Sequence, residues 1–182
     1  MKNSKFLYDE LECRRDIIKK MYLDEELIKN VNNLCSLIHE CFSRNNKLIF
    51  CGNGGSSADC QHIVAEFVVK LSKMRKSLPA ISLTNNCSVI TAIANDIEYD
   101  QVFVRQIESL AKENDVLIGI STSGASNNVV KCIDYANNHN IYTVSITGEA
   151  DGLLKKKSNC NISIPSSNTQ IVQELYMMIF HI

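Results

Sequence analysis

No CxxC pair joins any of the eight cysteines, Cys13, Cys35, Cys41, Cys51, Cys60, Cys87, Cys132 and Cys160. That absence excludes a zinc knuckle and a thioredoxin-like motif. Most of the thiols sit among apolar residues, as buried free thiols do, so a reduced, cytoplasmic protein without disulfides is expected. No apolar run approaches the roughly 18 residues of a membrane span, and the polar start, Met1 to Glu10, holds no apolar signal core. A net charge of −1 lacks the basic excess that nucleic acid or an anionic membrane demands. With only two prolines and seven glycines among 182 residues, the composition argues against disorder and suits one domain with a full core.

What is present begins with helix. Phe6 to Met21 is charged and amphipathic. Asp24 to Asn45 places Leu27, Val31, Leu34, Ile38 and Phe42 at three- and four-residue steps, with Asp24 as a capping start. The pattern then changes to short apolar runs bounded by turn residues. These are Lys47–Cys51, Ala80–Leu83, Val116–Ile120 and Tyr142–Ile146, with a weaker run at Asn161–Ile164. Helical stretches separate and follow them at 56–73, 88–94, 99–112, 127–138, 151–155 and 169–181. Strands alternating with helices predict an α/β protein, a doubly wound, five-stranded parallel sheet flanked by helices, preceded by two N-terminal helices. Ligands in such folds bind outside the carboxyl ends of the strands. That rule selects the loops after Cys51, Leu83, Ile120 and Ile146.

Two of these loops carry chemistry. Gly52-Asn53-Gly54-Gly55 opens a helix, so its backbone can approach a ligand and offer amide donors; a plain strand-to-helix turn explains it equally well. It is neither a Walker loop nor a GxGxxG fingerprint. Ser121-Thr122-Ser123-Gly124-Ala125-Ser126 follows the most apolar strand and brings four hydroxyls to one helix start. A cap needs one hydroxyl, so four favour a phosphate cradle over a simple turn. With no lysine or arginine in it, the helix dipole and hydrogen bonds must serve. His62 and Glu66, four apart on one helical face, could ligate a metal or form a surface contact. Gln173 and His181 lie eight apart on the last helix, roughly on one face; a buried, satisfied histidine is the plainer reading of His181.

Taken in order, Cys51-Gly52-Asn53-Gly54-Gly55-Ser56, His62-x-x-x-Glu66, Asn95-Asp96, Gly119-Ile120-Ser121-Thr122-Ser123-Gly124 and Gln173-Glu174 with His181 resemble the phosphoheptose isomerases over nearly the whole chain. The resemblance implies the SIS (sugar isomerase) fold. It implies an aldose–ketose isomerase converting sedoheptulose 7-phosphate to D-glycero-D-manno-heptose 7-phosphate, the first step toward activated heptose for lipopolysaccharide or capsule. It also implies one zinc ion per subunit held by His62, Glu66, Gln173 and His181, with Glu66 as base and His181 as acid. Asn53, Gly54, Gly55, Glu66, Asn95, Asp96, Ser121, Thr122, Ser123, Ser126 and Gln173 would then bind substrate. A homotetramer with shared sites is implied, residues 1–45 forming an oligomerising helical segment, although intrachain burial would explain its apolar faces as well, and 46–182 an α/β core. Sharing would also bring the last helix to the first loop, which a single subunit need not do. Relatives of this family can instead bind the bacterial replication initiator without catalysis, and a sugar-phosphate sensor is a third reading. The chain departs from the family pattern at Ile171 and Tyr176, where arginine and histidine are usual, and at Lys70, where arginine is common. It ends one residue past His181.

Overall fold

The computed structural model describes residues 2–182, with side chains from Lys5 onward. The strands are β1 (Leu48–Gly52), β2 (Ala80–Ser82), β3 (Val116–Ile120), β4 (Tyr142–Thr147) and β5 (Cys160–Ser163). They form one sheet in the order β2-β1-β3-β4-β5, every pair parallel. All five residues of β1 and all five of β3 are buried. A strand covered on both faces has no polar side to alternate with, which is why these segments read as continuous apolar runs.

Strand side chains alternate between two cores. Leu48, Phe50, Val116, Ile118, Ile120, Val144 and Ile146 face one apolar cluster, into which α2 (Glu25–Ser43), α3 (Gly55–Val68) and α8 (Thr169–Phe180) pack. Ile49, Cys51 and Leu117 face the other, closed by α5 (Val104–Leu110) and α6 (Asn127–Asn137). Helices α4 (Cys87–Asp96) and α7 (Leu153–Lys157) complete the sheet's surroundings. Asp24 accepts from the amide of Leu27 at 2.9 Å and caps α2.

The first helix, α1 (Lys2–Leu23), behaves differently. Its Ile17 and Met21 are buried, whereas Phe6, Leu7, Tyr8, Leu11, Ile18, Tyr22 and Leu23 are exposed. Intrachain burial therefore accounts for the apolar face of α2 and leaves that of α1 largely open.

Three helical segments differ from their sequence expectation. The helix expected over 56–73 stops at Val68. There the Arg75 guanidinium donates to the carbonyls of Glu66 (2.6 Å) and Phe67 (2.8 Å), satisfying the end that another helical turn would have covered. The stretch expected as one helix over 99–112 is a 3-10 turn at Tyr99–Gln101 followed by α5. The helix expected over 151–155 begins later, at Leu153. A Cβ on Gly152 would lie 2.4 Å from the carbonyl oxygen of Gly124, so the chain passes that point as bare backbone.

All eight cysteines are free thiols. Burial pushes the Cys41 thiol up to about 11 and raises those of Cys60 and Cys132 as well, which keeps them protonated and inert. Among the described residues no helix is long and apolar enough to cross a membrane.

Candidate active site

The strand order reverses between β1 and β3. The chain leaves β1 toward β2 on one side, while β3 leads to β4 on the other. Loops after adjacent strands diverge there and open a crevice. Gly52 pairs with Ile120 across it, so the glycine loop and the serine loop leave the sheet side by side. Asn53 and Asn128 tie them together by two reciprocal amide bonds of 2.8 and 2.9 Å. The Tyr99 hydroxyl adds a 3.1 Å bond to Asn53 Oδ1.

The serine loop is built to leave donors free. Gly124 takes φ +67°, a left-handed turn that a side chain would strain, and its amide donates to the Ser121 carbonyl at 2.9 Å. Ser126 stands at the N-cap of α6 but makes no side-chain capping bond. Its hydroxyl lies 2.9 Å from that of Ser121, which is 3.3 Å from that of Ser123. The Thr122 carbonyl accepts from Gly148 (3.0 Å) and the Gly124 carbonyl from Leu154 (3.0 Å), anchoring the loop to the chain after β4. A helix N-terminus with clustered hydroxyls and uncommitted amides is a ready anion site.

A second cluster lies between α3 and α8, which run side by side in the same direction. Gln173 meets Asp59; eight residues on, His181 meets Glu66, itself seven residues past Asp59. Glu66 Oε1 stands 3.3 Å from His62 Nε2 and 3.4 Å from His181 Nε2. The ligand atoms of all three fall within 4.8 Å of one another. The Glu66 side chain is 16% exposed, against 55% for His62 and 41% for His181. The carboxylate is therefore the recessed member and the imidazoles the accessible ones. His181 is not the buried histidine of the plainer reading: α8 ends at Phe180 and His181 forms its C-cap. Two imidazoles and a carboxylate suit a zinc-type ion.

Gln173 does not join that cluster by hydrogen bonding. Its Nε2 donates to Asp59 Oδ2 at 2.6 Å, and its amide packs so close to Gly55 that a Cβ there would lie 2.5 Å from Nε2. The last helix thus reaches the first loop within one chain, and no neighbouring subunit is needed to bring them together. Asn95 and Asp96 are exposed at the end of α4, their side chains bonded to each other at 2.7 Å. Among the described residues neither side chain bonds to the glycine loop, the serine loop or the Glu66 cluster.

Sequence reasoning passed over several of these residues. Asp59 lies three residues before His62 and seven before Glu66, a helical face that could have been read. Tyr176, noticed only as a departure, is 1% exposed; its hydroxyl donates to Asp59 and lies 3.2 Å from Ser56 Oγ. Burial, and then the bond to Asp59, raise its pKa, so it remains a donor at neutral pH. Asn128 and Tyr99 carry no local signal.

Similarity to known proteins identifies the family. The family model described as "SIS domain" matches residues 15–148. The phosphoheptose isomerase of Clostridium acetobutylicum is 41% identical over the whole chain and 92% of its own length. The solved phosphoheptose isomerase of Francisella tularensis superposes with a TM-score of 0.92 at 27% identity, covering 100% of this chain and 95% of that one. That of Neisseria gonorrhoeae gives 0.90 at 29%, covering 98% and 94%. The chain belongs to the SIS-domain family, and within it to the phosphoheptose isomerases. It is a sugar-phosphate isomerase.

Proposed function

We propose that the chain interconverts sedoheptulose 7-phosphate and D-glycero-D-manno-heptose 7-phosphate, opening the route to activated heptose for lipopolysaccharide or capsule. One pairing carries the reading: the chain holds both an uncharged, donor-rich cradle at the start of α6 and a recessed carboxylate flanked by two imidazoles between α3 and α8. A phosphate at one end and proton transfer at the other is what an aldose–ketose isomerase requires.

In this proposal Ser121, Thr122, Ser123 and Ser126 hold the phosphate, remote from the reacting carbons. Its binding energy positions the sugar. Asn53, Gly54, Gly55, Asn95, Asp96 and Gln173 contact sugar hydroxyls. Glu66 takes the proton from C1, giving an enediol, and returns it at C2. His181 moves the hydroxyl proton between O1 and O2, so no net proton is gained or lost. Zinc, held by His62, Glu66, Gln173 and His181, would supply electrophilic stabilisation of the oxyanion. We further propose that the chain forms one domain and acts in the cytoplasm as a homotetramer. The exposed apolar side chains of α1 support residues 1–45 as its oligomerising segment.

The test is NMR of sedoheptulose 7-phosphate with the purified protein, with and without a zinc chelator. Aldoheptose signals that vanish with chelator are expected. Signals that persist would keep the isomerase and remove zinc, and no product with zinc restored would overturn the substrate.

A further inference from the structure

Asp59 and Tyr176 take no part in the chemistry just described, yet they form a part-buried polar contact beside it. A carboxylate oxygen only accepts, so Asp59 Oδ2 receives one bond from Gln173 Nε2, at 2.6 Å, and one from the Tyr176 hydroxyl. The phenol's single proton is thereby committed. The contact between Ser56 Oγ and the Tyr176 oxygen, at 3.2 Å, then runs with the serine donating. Donors and acceptors form one consistent chain, Ser56 to Tyr176 to Asp59, with Gln173 donating from the other side.

An amide has two chemically different ends of nearly equal size. Only the end bearing hydrogens can face a carboxylate, so Gln173 must leave its oxygen for whatever lies on its other side. We propose that Asp59, held by Tyr176, is a positioning residue that fixes the Gln173 amide with Oε1 presented to a cation or a sugar hydroxyl. Reversed, the amide would offer two hydrogens where an electron pair is required. The cation arm rests on the metal site proposed above; the orientation itself does not. Tyr176 reaches Asp59 from within the core, so a residue that departs from the family pattern performs this work here.

Two readouts separate the arms. The first needs no metal. In the assigned 1H–15N spectrum, one side-chain amide proton of Gln173 is expected downfield and slow to exchange in the wild type. It should return to the free-amide position in Asp59→Leu, which removes the acceptor. An unshifted, fast-exchanging Gln173 amide in the wild type would overturn the orientation.

The second readout is zinc affinity by chelator competition, without substrate. Asp59→Leu, which removes the acceptor, is expected to weaken zinc about 10- to 100-fold, and Tyr176→Phe, which keeps the ring, by less. The double variant Asp59→Asn with Gln173→Glu reverses donor and acceptor across the same bond and leaves a carboxylate oxygen outward. It should bind zinc more tightly than Asp59→Leu with Gln173→Glu, a rescue that ligand charge alone would not produce. Wild-type zinc affinity in Asp59→Leu would overturn the cation arm. Failure of the wild type itself to bind zinc would overturn the metal reading, while the amide spectrum still decides the orientation.

Discussion

Around Glu66 the candidate site is made of ionisable side chains carried on two helices. Around Ser123 it is made of hydroxyls and backbone amides, without a charged side chain from Ser121 to Ser126. The first region can exchange protons and accept a cation, but its members depend on where α3 and α8 place them. The second can hold an anion by dipoles alone, and its own groups do not titrate near neutral pH. Binding and proton transfer are thereby assigned to different materials, and each can be damaged while the other survives.

Removing the base should separate the halves most sharply. Glu66→Gln keeps the shape and is expected to lower kcat by about 10³-fold or more, with KM and thermal midpoint nearly unchanged. Turnover near the wild-type rate would remove Glu66 as the base.

A second substitution breaks neither half and calibrates both. Asp115 lies at the start of β3, at the opposite end of the sheet from the site. Its fully buried carboxylate meets Lys47 Nζ and accepts from the amides of Lys47 (3.0 Å) and Lys112 (2.9 Å). Burial alone would push this carboxyl up, but the Lys47 ammonium and the amide donors outweigh it and hold it below its ordinary value. Its contribution to stability is therefore present above the ordinary carboxylate range, near pH 4, and is lost as pH falls through the lower folded-state value. Asp115→Ala leaves Lys47 without its partner and should cost about 3 kcal/mol, read by urea denaturation. The folded fraction should retain its kcat. Asp115→Asn should flatten the acid limb of the stability profile.

Smaller effects sharpen the contrast. Ser123→Ala is expected to raise KM about tenfold, as loss of a hydrogen bond to a charged group does. Its kcat should change little and its stability by less than about 0.5 kcal/mol. An unchanged KM would move the phosphate elsewhere. Gly55→Ala pushes a methyl group against the Gln173 amide, whose flexible end must shift. A loss of about fivefold in kcat/KM is expected, the size of one ordinary hydrogen bond, with the thermal midpoint held.

The fold was readable because each strand between covering helices must be apolar throughout and must end at a turn. The runs at 48–52 and 116–120 show both features. Element ends were read less well, since they depend on partners remote in sequence. Arg75 stops α3, and the backbone of Gly124 excludes a side chain at Gly152. The serine loop was legible as a unit, its hydroxyls being consecutive. His62 and Glu66 were legible as a pair, since four residues make one helical step.

Local pattern, then, determined the alternation of strand and helix, the two loops at the switch point and the spacing of His62 and Glu66. Periodicity and turn chemistry act within a few residues and leave their mark in any short window. Only the tertiary structure decided that α8 lies along α3 with His181 at Glu66, that Tyr176 reaches Asp59, and that Asn53 pairs with Asn128. Each of these joins side chains more than 70 residues apart. Such contacts follow from how the helices pack on the sheet, a property of the whole core and of no single segment.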